Sequence, residues 1–276
     1  MKRWLVLGLL FLCRLVTAAE VIPITPIESC FACSSTPSLS MFWASPAPKA
    51  LILFIPGGEG YFGLKPSQTD VNNDFVNSLK RLTDPSLTSG QYDLVVLDSP
   101  SPLSPRQAYP SARESTDHMI RIESAIRFYR DKTGLPVWLL GHSNGGISLS
   151  GFISYSQKRH QMDLIAGVIA SGIRNESRFE APLDLPMLFI HNKADACEHT
   201  TPHASRSLYE KVKVFDHSPT DYVLVETGAG QPSDPCRSGY HMNYGAGEEY
   251  ARDVDLFLQQ FYPLKAQDGP SAGVAK

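Results

Sequence analysis

With 276 residues, of which 42% are hydrophobic and 19% charged, the chain is long enough for one globular domain with a sizeable core, or at most two small ones. The formal net charge is only −3, so the composition gives no reason to expect nucleic acid or an anionic membrane as a partner. After residue 19, no apolar segment reaches the length that spans a bilayer, so no stable membrane insertion is expected.

The first nineteen residues, MKRWLVLGLLFLCRLVTAA, have the three parts of a secretory signal peptide. Lys2 and Arg3 form a basic start, residues 4–12 form a short apolar core, and Thr17–Ala19 resembles a small-residue cleavage site. A buried N-terminal helix is the less favoured alternative. We therefore predict cleavage near Ala19 and a secreted or periplasmic protein. Cleavage removes three basic residues and no acidic one, which leaves 22 basic and 28 acidic residues.

Apolar, β-rich runs alternate with longer amphipathic runs along the rest of the chain. The β-rich runs predict strands at 50–56, 92–98, 136–141, 164–172, 186–191 and 221–227. The amphipathic runs predict helices at 69–82, 114–134, 144–160, 203–212 and 247–262. The segment before residue 50, which includes SLSMFWAS, is expected to add an antiparallel strand or hairpin.

This alternation predicts an α/β fold, a mostly parallel twisted sheet with helices on both faces. No linker or internal repeat divides the chain, so we expect one domain over residues 20–264 and a flexible tail at 265–276. Ligands of such sheets bind beyond the carboxyl ends of the strands, which is where functional residues are expected.

Four cysteines remain after the predicted cleavage: Cys30, Cys33, Cys197 and Cys236. An even number in an exported chain favours disulfides over free thiols, and four cysteines permit three pairings. The spacing CFAC also occurs in redox motifs, but no thioredoxin-like βαβ unit surrounds it. The residues alone do not choose among the pairings.

The stretch LLGHSNGGIS, residues 139–148, contains the pattern Gly-x-Ser-x-Gly with Ser143 at its centre. Such a pattern arises by chance in about one chain in ten of this length, so its position carries more information than its occurrence. Ser143 follows a predicted strand and precedes a predicted helix, a context in which a tight turn lifts the hydroxyl clear of the sheet. Because a serine hydroxyl is a poor nucleophile at neutral pH, a base and an orienting acid must come from elsewhere.

Over roughly residues 50–262, the order of these motifs resembles the α/β-hydrolase superfamily, whose triad runs nucleophile, acid, histidine along the chain. The resemblance implies the α/β-hydrolase fold, and an acid in the loop NKADACEHT. Asp195 holds the matching position there, and Glu198 is the alternative. The resemblance also implies a histidine between the last strand and the last helix, where His241 stands. His191, which ends the strand before Asp195, is a candidate to support the acid.

The same resemblance implies two backbone donors for a developing oxyanion. One is the amide of Asn144, directly after the nucleophile. The other comes from the loop IPGGEGYFG, in which Gly58 best matches the family position and Gly57 and Glu59 are less favoured. This loop departs from the common pattern, because Pro56 stands where a histidine often precedes the first glycine.

A disulfide preference also depends on the resemblance. If Asp195 bonds to His241, their loops converge, with Cys197 two residues after the acid and Cys236 five before the histidine. The resemblance therefore favours Cys197–Cys236, which leaves Cys30–Cys33 as a local pair. About a dozen residues, 174–185, stand where many relatives insert a lid, so no large lid domain is expected.

The function implied is that of a secreted serine hydrolase that cleaves a carboxylic ester of a small-molecule acyl substrate through an acyl-enzyme. Peptide or thioester cleavage by the same triad is the alternative within this class. A non-catalytic binding protein of hydrolase fold is the alternative from a different class. No cofactor and no metal site are expected, and the oligomeric state is left open.

Overall fold

The structure is a computed structural model that describes residues 19–31, 33–88, 92–103, 111–180, 183–215, 217–230 and 234–262. The predicted signal peptide, apart from Ala19, and the predicted tail at 265–276 lie outside these ranges.

The described residues form eight strands in a single sheet. The strands are β1 Glu20–Ile24, β2 Ser38–Trp43, β3 Ala50–Ile55, β4 Tyr92–Asp98, β5 Val137–His142, β6 Gly167–Ser171, β7 Met187–Asn192 and β8 Thr220–Val225. Their order is β1-β2-β4-β3-β5-β6-β7-β8, in which β1 and β2 are antiparallel to their neighbours and all other pairs are parallel. The predicted mostly parallel sheet is therefore confirmed, including the antiparallel addition before residue 50.

Five α-helices cover the sheet in the described part of the chain. They are α1 Asp74–Lys80, α2 Thr116–Thr133, α3 Gly145–Lys158, α4 Pro202–Phe215 and α5 Gly247–Gln259. The longest, α2, has clear local signals at both ends. The Ser115 side chain accepts a hydrogen bond from the His118 amide, and Gly134 ends the helix in the left-handed conformation with φ of 70°.

Alternate residues of each central strand point to opposite layers of core. Leu51 and Leu53 of β3 pack with α2, α3 and α4 on one face, whereas Ile52 and Phe54 pack with α1 and α5 on the other. Because helices cover both faces, every residue of β3 is buried, and the strand is apolar throughout.

Two predicted elements begin several residues later in the structure. The helix predicted at 69–82 begins only at Asp74, because the Asn73 side chain caps it by accepting a hydrogen bond from the Val76 amide at 3.1 Å. The strand predicted at 164–172 begins at Gly167, because Met162–Leu164 forms a short 3-10 helix that turns the chain into the sheet. Leu164 and Ile165 are buried like the residues of the strand that follows, so the apolar run did not mark where the strand begins.

The connection between β6 and β7, where a lid would be inserted, is short, as the sequence indicated. Its described residues, 172–180 and 183–186, form neither helix nor strand. The carboxyl ends of the central strands are therefore not covered by an inserted domain at this point.

Candidate active site

Ser143 occupies a tight turn between β5 and α3, with φ of 54°. The flanking glycines make this turn possible. A Cβ atom at Gly145 would lie 2.1 Å from the carbonyl oxygen of Ile55, and one at Gly141 would lie 2.6 Å from the carbonyl oxygen of Gly145. Any larger residue would push the turn away from the neighbouring strand. The Gly-x-Ser-x-Gly pattern therefore has a steric reason at both glycines, and a non-glycine residue is held with positive φ between them.

A cavity of about 380 Å³ lies beside Ser143. Ser143 and His241 both line it. Its lining combines aromatic and apolar side chains with polar ones, two of which are charged. The lining side chains other than the candidate catalytic pair include Phe54, Phe62, Phe75, Met242, Tyr61, Glu59 and Arg237. Among the residues that the structure describes, the Ser143 hydroxyl makes no hydrogen bond.

A buried carboxylate, that of Asp98, holds the loop that forms one wall of this cavity. Asp98, at the end of β4, accepts hydrogen bonds from the Phe62 amide at 2.6 Å and from the Leu64 amide at 2.8 Å. Burial raises the pKa of Asp98, although the backbone hydrogen bonds counteract the effect. The loop that carries Phe62 and Tyr61 is thus anchored to the centre of the sheet.

Asp195 and His241 meet in the structure although 46 residues separate them. Asp195 follows β7, and His241 lies in the 3-10 helix Gly239–Met242 just before α5. The His241 Nδ1–H donates to Asp195 Oδ2 at 2.8 Å, and both side chains are 1% exposed. The hydroxyl of Thr200 lies 3.2 Å from Oδ2 and 3.1 Å from Nδ1, which further fixes the pair.

Two further donors keep Asp195 ionised. The Cys197 amide donates to Oδ1 at 2.9 Å, and the buried His191 donates from Nε2 to Oδ2 at 3.1 Å. Burial by itself raises the pKa of Asp195, but the hydrogen bonds from His191 and His241 outweigh it. The net pKa is therefore well below the ordinary value. His191 thus occupies the supporting position that the sequence indicated.

A second buried histidine packs against His241. The ring of His142 stacks on Phe75 with centroids 3.8 Å apart and lies 4.7 Å from the His241 ring. Burial lowers the pKa of His142 well below its ordinary value, and the adjacent His241 lowers it further. His142 is therefore a neutral packing partner that holds His241 against the sheet.

The alternative acid is placed elsewhere. The Glu198 side chain is 83% exposed, and Oε1 lies 3.5 Å from Nε2 of His199. It is turned to solvent, whereas Asp195 is enclosed with His241. The structure therefore brings together the first candidate acid and the candidate histidine, and not the alternative.

Both disulfides favoured by the sequence are present. Cys197 and Cys236 are bonded with Cα atoms 4.6 Å apart, and Cys236 lines the same cavity as Ser143. This bond joins the loop of Asp195 to the loop of His241. The other bond, Cys30–Cys33, closes a short local loop.

The loop after β3 lies directly against Ser143. A Cβ atom at Gly57 would be 2.9 Å from both the Ser143 Cβ and the His142 carbonyl oxygen, so only glycine fits this approach. Gly58 has φ of 55°, and its carbonyl oxygen accepts a hydrogen bond from the Asn144 side chain at 2.7 Å. The loop also bonds to Arg113, a fully buried residue.

Sequence reasoning missed Arg113 and Thr200. Thr200 is a small polar residue in a loop, and Arg113 belongs to the short 3-10 helix Ser111–Glu114. Neither stands in a motif, so only spatial proximity reveals them.

No helix in the described part of the chain is both long and apolar enough to cross a membrane. Within the same ranges, no group of three or more His, Cys, Asp or Glu side chains lies where it could hold a metal ion.

Comparison with solved structures identifies the fold. A dienelactone hydrolase from Anabaena variabilis superposes with a TM-score of 0.57 at 12% identity, covering 88% of this chain and 97% of that one. A serine hydrolase without a lid from Xanthomonas campestris gives 0.57 at 11% identity, covering 91% and 98%. An acylaminoacyl peptidase from Pyrococcus horikoshii gives 0.56 at 12% identity, covering 89% of this chain and 42% of that one.

The chain therefore has the α/β-hydrolase fold, as its motif order implied. No protein-family model matches the sequence, and no curated protein matches it. At these identities the structural likeness establishes the fold alone, so activity has to be argued from the site.

Proposed function

We propose that this protein is a serine hydrolase that cleaves carboxylic esters through an acyl-enzyme. Ser143 is the nucleophile, His241 the general base and Asp195 the acid that orients it. The observation that carries this proposal is the buried Asp195–His241 hydrogen bond beside a cavity that Ser143 also lines. This bond occupies Nδ1 of His241 and leaves Nε2 to exchange a proton with the reacting groups.

In acylation, the Ser143 oxygen attacks the ester carbonyl carbon while its proton passes to His241 Nε2. The tetrahedral intermediate collapses, the bond to the leaving alcohol breaks, and the imidazolium returns the proton to that oxygen. Asp195 stays ionised throughout and stabilises the imidazolium. Because the Ser143 hydroxyl makes no hydrogen bond within the described structure, its contact with His241 has to form as the substrate enters.

In deacylation, a water molecule takes the place of the alcohol. Its oxygen bonds to the acyl carbon while one proton passes to His241. The bond from the acyl carbon to the Ser143 oxygen then breaks, and that proton restores the serine hydroxyl. The products are a carboxylic acid and free enzyme, so the cycle requires no cofactor.

The negative charge on the carbonyl oxygen needs donors that are already in place. We assign this role to the backbone amides of Asn144 and Gly58. Asn144 is the N-cap of α3, and the N-terminus of a helix carries a partial positive charge. Gly58 is next to Gly57, the residue that packs against Ser143, and lines the same cavity.

The size and lining of the cavity support an ester of a small acyl group. A space of about 380 Å³ with aromatic walls accommodates a short or aromatic acyl group. An accessible ester suits such a site better than a buried lipid, because the described residues of the β6–β7 connection form no lid domain. Peptide or thioester cleavage remains the alternative chemistry for the same triad.

We also propose that the protein acts outside the cytoplasm. Disulfides persist in oxidising compartments, and this chain has two of them. The predicted signal peptide supplies a route to such a compartment. A test is whether the mature N-terminus of the exported protein lies just after Ala19.

The test of the enzymatic proposal is covalent labelling of the purified mature protein with a fluorophosphonate probe, followed by peptide mass spectrometry. We expect a single adduct on Ser143 and none in Ser143→Ala, which should also lose at least about 10⁴-fold in kcat. A folded sample that is not labelled would favour the non-catalytic binding protein instead. Parallel assays with ester, amide and thioester analogues of one acyl group would then rank the substrate classes.

A further inference from the structure

We propose that Arg113 is a positioning residue that holds the oxyanion loop against Ser143. This inference rests on the proposed function, since it concerns the donors that stabilise the reaction's negative charge. We define the oxyanion loop as residues 56–59. Arg113 lies outside the cavity and does not touch the substrate, so its effect has to pass through the backbone of this loop.

The guanidinium of Arg113 binds three consecutive carbonyl groups of the oxyanion loop. Nη1 donates to the Pro56 oxygen at 2.8 Å, and Nη2 donates to the Gly57 oxygen at 3.2 Å and to the Gly58 oxygen at 3.0 Å. The residue is 0% exposed. A planar group with donors in a fixed fork can bridge these oxygens at once, which a single ammonium cannot do.

Holding the carbonyls also orients the amides. Across a trans peptide bond, the N–H points away from the carbonyl oxygen of the preceding residue. When Arg113 holds the oxygens of Pro56 and Gly57, the amides of Gly57 and Gly58 are therefore turned to the opposite side of the loop. Gly57 packs directly against Ser143, so this arrangement aims the loop's amides at the region where the oxyanion forms.

Arg113 also connects the oxyanion loop to α3, the helix that follows Ser143. Nη1 donates to the Ser148 hydroxyl of α3 at 3.1 Å, and the Ser148 hydroxyl is 2.9 Å from Nε2 of the buried His118. The two candidate donors of the oxyanion hole are the Asn144 amide at the N-cap of α3 and the Gly58 amide on the loop, and Arg113 binds both α3 and the loop. Their separation is fixed before the substrate binds, which is what electrostatic preorganisation requires.

The charge of Arg113 acts in a buried environment. Burial lowers the pKa of neighbouring His118 to about 3, and the positive charges of Arg113 and Arg121 contribute to that shift. His118 is therefore neutral and adds no second positive charge beside the guanidinium. A charge-assisted bond to a carbonyl polarises the peptide group and strengthens its N–H as a donor.

The experiment compares Arg113→Met with a matched control, Arg121→Met. Arg121 is also buried and also donates to backbone carbonyls, those of Ser34 and Thr36, but these lie in the segment before β2. Both variants lose a buried guanidinium, so both should be destabilised. Kinetics per active site, counted by titration with the fluorophosphonate, then separate positioning from folding.

We expect kcat per titrated site to fall about tenfold to one hundredfold in Arg113→Met, with KM within about threefold of the wild-type value. The rate of fluorophosphonate labelling should fall in the same proportion, because that reaction also develops charge in the oxyanion hole. Arg121→Met should keep the wild-type kcat per titrated site. A purely structural role for Arg113 would lower the number of active sites and leave the kcat of each unchanged, which would overturn the proposal.

If Arg113→Met does not fold, Arg113→Lys decides the question. Lysine keeps a positive charge but has one nitrogen, so it cannot span the three carbonyls, and kcat per site should still fall several-fold. An unchanged kcat in Arg113→Lys would overturn the inference. Failure of the proposed function is distinguishable, because the wild-type protein itself would then not react with the probe.

Discussion

The two halves of the candidate active site are held in place by different means. The serine side, residues 55–60 and 141–148, is fixed by backbone close packing at the centre of the sheet. Its glycines allow contacts that any Cβ would prevent, as at Gly145 against Ile55. The acid–histidine side, residues 191–200 and 236–242, is fixed by side chains. Hydrogen bonds to Asp195 and the Cys197–Cys236 disulfide hold two loops together there.

This difference shows which kind of change each side tolerates. On the serine side, adding a single carbon atom is enough to displace the turn, because neighbouring backbone atoms cannot retreat. On the acid–histidine side, a single side chain can be removed without a steric clash. Its removal takes away a hydrogen bond, a charge or a disulfide that positions His241. The following predictions, from the largest expected effect to the smallest, test this contrast.

The largest effect is expected on replacing Asp195. Asp195→Asn keeps the shape of the side chain but removes the charge and stabilises the wrong tautomer of His241, so kcat should fall about 10⁴-fold. The fold should persist because no steric contact changes. The measurement is kcat on an activated ester, with far-ultraviolet circular dichroism to verify folding. Glu198→Gln is the matched control, and equal activity losses in the two variants would contradict the assignment of the acid.

A smaller effect is expected on removing the disulfide between the two loops. Cys197→Ala/Cys236→Ala opens a loop with a sequence separation of 39, which should cost about 4 kcal/mol of unfolding free energy and lower kcat about tenfold as the histidine loses its restraint. The control is Cys30→Ala/Cys33→Ala, whose separation of 3 should cost about 2 kcal/mol and leave kcat unchanged.

Denaturant titration and steady-state kinetics on the two double variants measure both effects. Stability losses without a difference in kcat would show that hydrogen bonds alone position His241. The Cys197–Cys236 disulfide would then stabilise the fold without helping to position His241.

The smallest effect is expected from the protonation of buried histidines near the serine side. The pKa of His118 is lowered to about 3 by burial and by the charges of Arg113 and Arg121, whereas the unfolded chain binds that proton near pH 6.5. Between these values the unfolded state holds one more proton, so stability should fall as the pH decreases, by about 1.4 kcal/mol per pH unit. Asp195 acts in the same direction as His118 but at lower pH. Its lowered pKa means that its stabilising contribution persists until the pH falls below about 4.

The free energy of unfolding should therefore begin to fall below about pH 6.5, before Asp195 is protonated. His118→Gln should reduce the slope of the unfolding free energy against pH, between pH 6.5 and pH 4, by about one proton. Denaturant titrations across this range give the slope directly. An identical slope in His118→Gln and the wild type would contradict the assignment of a buried neutral histidine.

The fold could be predicted from sequence to a large extent because its signals are local. The apolar runs that became β3, β4, β5 and β7 are buried on both faces, and helices separate most of them. Boundaries were less accurate where a polar side chain interrupts the pattern, as at Asn73. The Asn73 cap starts α1 several residues later than periodicity alone indicated.

The residues of the candidate site also differ in whether a local sequence pattern indicates them. Ser143 could be singled out because its turn needs glycines at fixed neighbouring positions. Asp195 and His241 could be named only through a resemblance in motif order, and Glu198 remained open as an alternative. Thr200 and Arg113 had no signal, because their contacts are made with residues that no local pattern connects to them.

By itself, the sequence determined the alternation of strands and helices and the strained turn at Ser143. Both follow from forces that act between near neighbours: the burial of apolar side chains with a regular period, and the steric limits on backbone angles. Only the tertiary structure decided which carboxylate meets His241, which cysteines pair and which arginine binds the carbonyls of residues 56–58. Those choices depend on where distant loops converge at the carboxyl ends of the strands, and the packing of the whole sheet sets that convergence.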